Sequence, residues 1–131
     1  MNWAVITPSY NLDFERCKLL CLSMDAFLSG PWHHYIVVDK PDHALFKLFA
    51  GPRRSVLLTQ DVAPPSMHHL CNIPFTGGRS LWWARKTGFF IGWHMQQIVK
   101  VGIAGKLEQD GIAFCDSDVF LVKPYDVRSE E

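Results

Sequence analysis

A chain of 131 residues with 48% hydrophobic and 20% charged residues is sized for one folded domain and is too apolar for a disordered segment. Thirteen basic and thirteen acidic residues cancel to a formal net charge of zero, so the basic excess of a nucleic-acid-binding surface is missing. No apolar run approaches a membrane span, and Met1 to Pro8 lacks the basic region that opens a signal peptide.

Taken in order, Trp3-Ala4-Val5-Ile6-Thr7 is a β-rich run stopped by Pro8-Ser9-Tyr10-Asn11, which predicts a strand and a polar loop. From Leu12 to Leu28, apolar residues recur every three or four positions (Phe14, Cys17, Leu20 and Cys21, Met24, Phe27 and Leu28), which predicts a helix ended by Gly30-Pro31. Tyr35 to Val38 is a second strand closed by Asp39, and His43 to Phe49 a short helix. Ser55 to Thr59 is a third strand, closed by Gln60-Asp61. Ala63 to Gly78, rich in proline and glycine, reads as a long irregular segment. Leu81 to about Gly105 reads as the longest helix, with Trp82, Phe89, Phe90, Trp93 and Val101 on its buried face. The paired histidines His33-His34 and His68-His69 read as polar residues of strand edges or loops.

The cysteines Cys17, Cys21, Cys71 and Cys115 form no Cys-x-x-Cys pair and are read as reduced thiols of a cytoplasmic protein. A zinc site built from Cys17, Cys21, His68, His69 and Cys71 would lack standard ligand spacing.

The most informative stretch comes last. Gly111 to Cys115 is too short and apolar for a helix and reads as a buried strand. It ends in Asp116-Ser117-Asp118, and a second apolar run, Val119 to Val122, follows and reads as another core strand. In extended chain, residues i and i+2 face one side, so Asp116 and Asp118 face one ion and Ser117 turns away. A hard divalent cation prefers such oxygen ligands. The plainer alternative is a surface turn, for which Asp-Ser-Asp is common.

Strands alternating with helices predict a mainly parallel α/β sheet with flanking helices. Its polar strand ends, Thr7-Pro8-Ser9, Asp39-Lys40, Gln60-Asp61 and Asp116-Ser117-Asp118, then lie along one edge, where open α/β sheets bind ligands.

With these residues assembled, the chain resembles the GT-A-fold glycosyltransferases, whose fold is Rossmann-like. The first strand running into Thr7-Pro8-Ser9-Tyr10, the acidic Asp39 and the Asp-x-Asp strand carry the likeness. Poorly characterised bacterial members also share a Trp-x-x-Gln-Gln-x-x-Lys pattern, here Trp93 to Lys100. The resemblance implies a nucleotide-sugar donor held by Mn²⁺ or Mg²⁺. It implies Asp118 as a direct metal ligand, Asp116 as a ligand through water or a contact of the donor ribose, and Thr7, Ser9 and Tyr10 as the nucleoside pocket. It implies a hydrogen bond from the base or ribose to Asp39. Lys100 is a further candidate for the diphosphate, since transfer leaves extra negative charge there.

Only thirteen residues follow Asp118 (131 minus 118), where such enzymes build the acceptor wall. The expectation is therefore one domain over residues 1–131, incomplete at its C-terminus, with acceptor and catalytic base unassigned and a homo-oligomer as one way to complete the site. Two other readings compete. One is a nucleotide-binding or interaction module without transferase activity. The other is a haloacid-dehalogenase-type phosphotransferase, whose Asp-x-Asp normally opens the domain rather than closing it.

Overall fold

Four of the apolar runs lie side by side as parallel strands. A computed structural model describes residues 2–63, 67–73, 79–84, 88–91, 100 and 102–130. The chain begins with β1 (Trp3–Pro8), a 3-10 turn (Asn11–Asp13) and helix α1 (Phe14–Phe27). After the two-residue β2 (Leu28–Ser29) comes Gly30, with φ of +96°. A Cβ there would lie 2.7 Å from Val127 Cγ2, so the turn into β3 (Trp32–Val38) demands glycine twice over.

The short helix α2 (His43–Phe46) sits between two 3-10 turns and leads to β4 (Arg54–Leu58) and a single helical turn, α3 (Thr59–Val62). Next come β5 (Met67–Ile73), β6 (Arg79–Ala84) and β7 (Gly88–Ile91), then helical residues 102–104, β8 (Gly111–Phe114) and β9 (Tyr125–Asp126).

The main sheet has the order β4-β3-β1-β8, all parallel. This is a Rossmann-like α/β fold with helices flanking the sheet, as the alternation of apolar runs predicts. Strand residues alternate between the two faces. Val5 and Trp32 meet Leu20 and Met24 of α1, and Ile36 and Val38 meet Cys17, Cys21 and Phe46. On the other face Ile6 and Val37 pack with Val62, Ala63, Trp82 and Ile103.

Three expectations need correction. The longest predicted helix is not a helix over its first half: Arg79–Ala84 and Gly88–Ile91 are strands, and with Met67–Ile73 they form an antiparallel sheet of order β5-β6-β7. The contiguous aromatics Trp82-Trp83 and Phe89-Phe90 suit strands, and Gly88 disfavours helix. Trp82, only 2% exposed, carries this hairpin into the core. The same sheet occupies part of the segment expected to be irregular. Residues 92–99, with most of the Trp-x-x-Gln-Gln-x-x-Lys pattern, lie outside the described residues.

Second, Val119 to Val122 forms no strand. Val119, Phe120 and Val122 are exposed, and the Leu121 amide donates to Ser23 Oγ of α1 at 3.0 Å instead of joining a ladder. Third, His33 and His34 lie within β3, an interior strand, and His34 is fully buried.

Candidate functional site

The register fixes which strand ends meet. Pro8 lies opposite Val37, Val38 opposite Leu58, and Ile6 opposite Phe114. The Ser9 amide donates to the Val37 carbonyl (2.9 Å) and the Cys115 amide to the Ile6 carbonyl (3.0 Å). The exits of β1, β3, β4 and β8 therefore lie along one edge. From β1 the chain moves first to one side, to β3, and later to the other, to β8. The crevice between the ends of β1 and β8 is the switch point at which such sheets bind ligands.

Asp116-Ser117-Asp118 leaves β8 at this point as a turn, with the Val119 amide reaching back to the Asp116 carbonyl (3.4 Å). The surface-turn geometry is thus present, and it presents both carboxylates outward. Ser117 is buried, and its hydroxyl donates to Asp13 Oδ2 (3.2 Å). The Asn11 amide donates to Asp42 Oδ2 (3.2 Å). These two bonds tie the loop after β1 to the loops after β8 and β3. Burial, followed by repulsion from Asp39, pushes the Asp42 carboxyl up, against the pull of the Asn11 amide.

Lys100 reaches the same turn. Its ammonium lies 3.1 Å from Asp116 Oδ1, with the lysine side chain 16% exposed and the aspartate 65%. A pair this wet stabilises by about 0–1 kcal/mol, so a stronger anion would draw the lysine away at small cost. Burial first, then the charges of Asp116 and Asp118, push the neighbouring Cys115 thiol up and keep it protonated.

Among the described residues, no group of three or more His, Cys, Asp or Glu side chains is placed to hold a metal ion. Asp116 and Asp118 offer two exposed carboxylates one residue apart. That set does not make a closed protein cage. It fits the mode in which Mg²⁺ or Mn²⁺ is held by one or two carboxylates together with substrate phosphates.

The other sequence candidates divide. Ser9 and Tyr10 stand at the β1 exit and Asp39 at the β3 exit. Ser9 is 7% exposed; its hydroxyl is buried, makes no hydrogen bond of ordinary length among the described residues, and acts on the neighbouring Cys17 thiol, which it pulls down. Thr7 belongs elsewhere. It is fully buried, its hydroxyl lies 2.8 Å from His34 Nε2, and it presents no surface to a ligand.

That contact opens a network the sequence reading missed. Arg54 Nε donates to His34 Nδ1 (2.9 Å), so the imidazole carries its proton on Nε2 and donates to Thr7. Arg54 also grips Asp25 through two contacts (3.0 and 3.3 Å) and the Cys21 carbonyl (3.3 Å). Burial first, then the Arg54 charge, holds His34 down at about 3. Cys17 and Cys21 neighbour each other beside this network. The hydrogen bond between the two thiols and burial push Cys17 up, while the same bond lowers Cys21. The available signal was parity. His34 falls in step with Trp32, Ile36 and Val38, which face α1.

An apolar groove of about 580 Å³ runs along β8, lined by Leu20, Met24, Ala113, Cys115, Leu121 and Tyr125 among others. No helix among the described residues is long and apolar enough to cross a membrane.

A family described as "Family of unknown function (DUF6492)" matches residues 5–129, and the chain belongs to it. No curated protein and no solved structure matches the chain.

Proposed function

We propose that this member of DUF6492 is a metal-dependent glycosyltransferase, or the donor-binding half of one, acting on a nucleoside-diphosphate sugar. The observation that carries the reading is the exposed Asp116-Ser117-Asp118 turn at the switch point between β1 and β8. Its middle residue is anchored inward on Asp13.

A divalent Mn²⁺ or Mg²⁺ would offset the charge that develops on the departing diphosphate. Asp118 and Asp116 are its proposed ligands. Lys100 leaves Asp116 for a phosphate oxygen and holds the leaving group in place. Ser9 and Tyr10 take the nucleoside at the β1 exit, and Asp39 the ribose or base at the β3 exit. Thr7 acts on the pocket only by anchoring β1 to His34.

We assign the reaction to the cytoplasm, which the free thiols of Cys17, Cys21 and Cys115 support. A second copy of the chain is the partner proposed for the β8 edge, where Phe114, Phe120 and Val122 are exposed.

The test is thermal unfolding with a panel of nucleoside-diphosphate sugars, with and without Mn²⁺. A ligand at a hundred times its Kd stabilises the folded chain by about 2.7 kcal/mol. The expected result is a Mn²⁺-dependent rise in Tm that Asp118→Ala removes. Asp118 is exposed, so the variant keeps its fold. An equal rise in the variant refutes the assignment.

A further inference from the structure

The two edges of the main sheet are finished differently. At the β4 edge the chain folds back on itself: Gly51 and Arg54 exchange two backbone hydrogen bonds (2.9 and 3.2 Å), which cover the start of that strand. The β8 edge has no such cover among the described residues. Its sequence, Gly111-Ile112-Ala113-Phe114 and then Cys115, holds no charged side chain and no proline, and its pairing with β1 has no bulge. Those are the devices that blunt an exposed edge.

Parity settles which backbone groups of β8 are open. In a parallel strand the N–H and C=O of one residue point to the same side. The Gly111 amide donates to the Asn2 carbonyl (3.1 Å) and the Cys115 amide to the Ile6 carbonyl (3.0 Å), so residues 111, 113 and 115 face β1. Ile112 and Phe114 therefore turn both backbone groups outward, where no described residue pairs with them. Their side chains share the sheet face of Ile6, and Phe114 is 49% exposed. Ala113 and Cys115 share the other face, beside the apolar groove that Leu121 and Tyr125 wall off.

We infer that β8 is a self-pairing edge: a second copy adds its own β8 antiparallel, across a two-fold axis at Ala113, and joins two four-stranded sheets into one. In that register Ile112 lies opposite the partner's Phe114, and Phe114 opposite the partner's Ile112. Each pair exchanges two bonds, so four hydrogen bonds satisfy every outward group of both strands. Each half-exposed Phe114 gains a β-branched neighbour, a favourable cross-strand pair. Ala113 meets the partner's Ala113 in the close, non-hydrogen-bonded position, where a small side chain fits. The strand carries no charge to oppose itself within the ladder, and a two-fold contact closes on itself instead of extending.

The area sets the strength. A standard interface buries about 800 Å² on each partner. The exposed apolar side chains around this edge, Phe114, Phe120, Val122 and Tyr125, together hold about half of that, taking an aromatic side chain at roughly 200 Å². Past the ladder, Asp116 approaches the partner's Asp110, and like charges oppose there. The dimer is therefore weak and concentration-dependent. This register rests on the assignment of a second copy to the β8 edge and is independent of the transferase chemistry.

The test is sedimentation velocity on the whole chain from micromolar to millimolar concentration, without Mn²⁺ or nucleotide, so that donor binding plays no part. A reversible shift from monomer to dimer is expected. Phe114→Lys sets a charge opposite the partner's Ile112 and should weaken the dimer about tenfold or more, since each dimer loses both cross-strand pairs. Phe114 is half-exposed, so its variant keeps the fold. Ala113→Cys reads the register. A non-hydrogen-bonded pair sets its Cα atoms about 4.5 Å apart, within the span of a disulfide. Glutathione disulfide should convert Ala113→Cys to a covalent dimer on non-reducing electrophoresis. The parent, whose Cys115 lies opposite the partner's Gly111, should give none. A chain that stays monomeric throughout overturns both the register and the second-copy assignment. A dimer that Phe114→Lys leaves intact, that Ala113→Cys does not cross-link, or that the parent cross-links as readily, overturns this register alone and leaves the transferase reading standing.

Discussion

Replacing His34 with glutamine isolates a single ionisation buried on the interior strand β3. In the native chain the imidazole is satisfied only when neutral. Nδ1 accepts from Arg54 and Nε2 donates to Thr7. A second proton would go on Nδ1 and face the Arg54 N–H, donor against donor and cation against cation. Burial and Arg54 accordingly hold the group at about 3, against an ordinary value of 6.5. The unfolded chain takes up the proton near 6.5, and the folded chain resists it until about 3. Stability from this group is therefore complete above pH 6.5 and is lost as pH falls through that window. The full difference of 3.5 units is worth about 5 kcal/mol, with a slope of about 1.4 kcal/mol per pH unit. That is a large share of an ordinary domain stability of about 5–15 kcal/mol.

His33 is lowered as well and adds to the loss. Asp42, raised by burial, works in the opposite sense, because the folded chain accepts its proton first. Urea unfolding followed by circular dichroism between about pH 7 and pH 4 measures the sum. His34→Gln retains a donor for Thr7 and an acceptor for Arg54 but cannot ionise. It should cost about 1–3 kcal/mol at pH 7 through imperfect fit. Most of the slope below pH 6.5 should disappear in the variant. Parallel stability profiles for the parent and His34→Gln would refute the reasoning.

Two further outcomes follow from the same contacts. Ser117→Ala removes the buried bond to Asp13 and should lower stability by about 1–2 kcal/mol in denaturant unfolding, whereas an unchanged midpoint would mean the turn is not anchored there. Alkylation of the native chain, read by peptide mass spectrometry, should modify the half-buried Cys115 before the buried Cys17 and Cys21, and denaturation without reductant should expose all four cysteines, Cys71 included; a disulfide between Cys17 and Cys21 would contradict both the fold and the cytoplasmic assignment.

The parts of the fold that were legible in the sequence are those governed by local pattern. Trp3 to Thr7, the α1 periodicity and the apolar run before Asp116 each encode one element, and the parallel sheet follows from their alternation. The hairpin of β6 and β7 was misread because Trp82, Phe89 and Phe90 also satisfy a helical spacing, and only pairing with β5 decides between the two. Val119 to Val122 is apolar enough for a strand, but it leaves the sheet edge, and Ser23 of α1 takes the Leu121 amide. The His34 network could not be read at all without register. His34 and Arg54 are twenty residues apart in the chain and become direct neighbours only when β3 and β4 pair. A polar residue in an apolar strand is visible in a sequence, but its partner is supplied by the sheet.

The Asp-Ser-Asp stretch shows why the turn and ligand readings of such a motif need not compete. A strand that ended with both carboxylates inside the core would bear the desolvation of two like charges. A free surface turn would leave both carboxylates mobile, and a metal would have to order them on binding. Here the odd residue is the buried one. Ser117 points inward to Asp13, at the start of α1, and Asp13 is also within 3.6 Å of Arg16. The turn is thereby fixed to a helix while its two carboxylates remain in water, on the side where Lys100 approaches. Ordering is supplied by the fold, and the two carboxylates retain their hydration. The cation proposed here, arriving with a phosphate, would need that combination, since it would have to be gripped during transfer and released with the product.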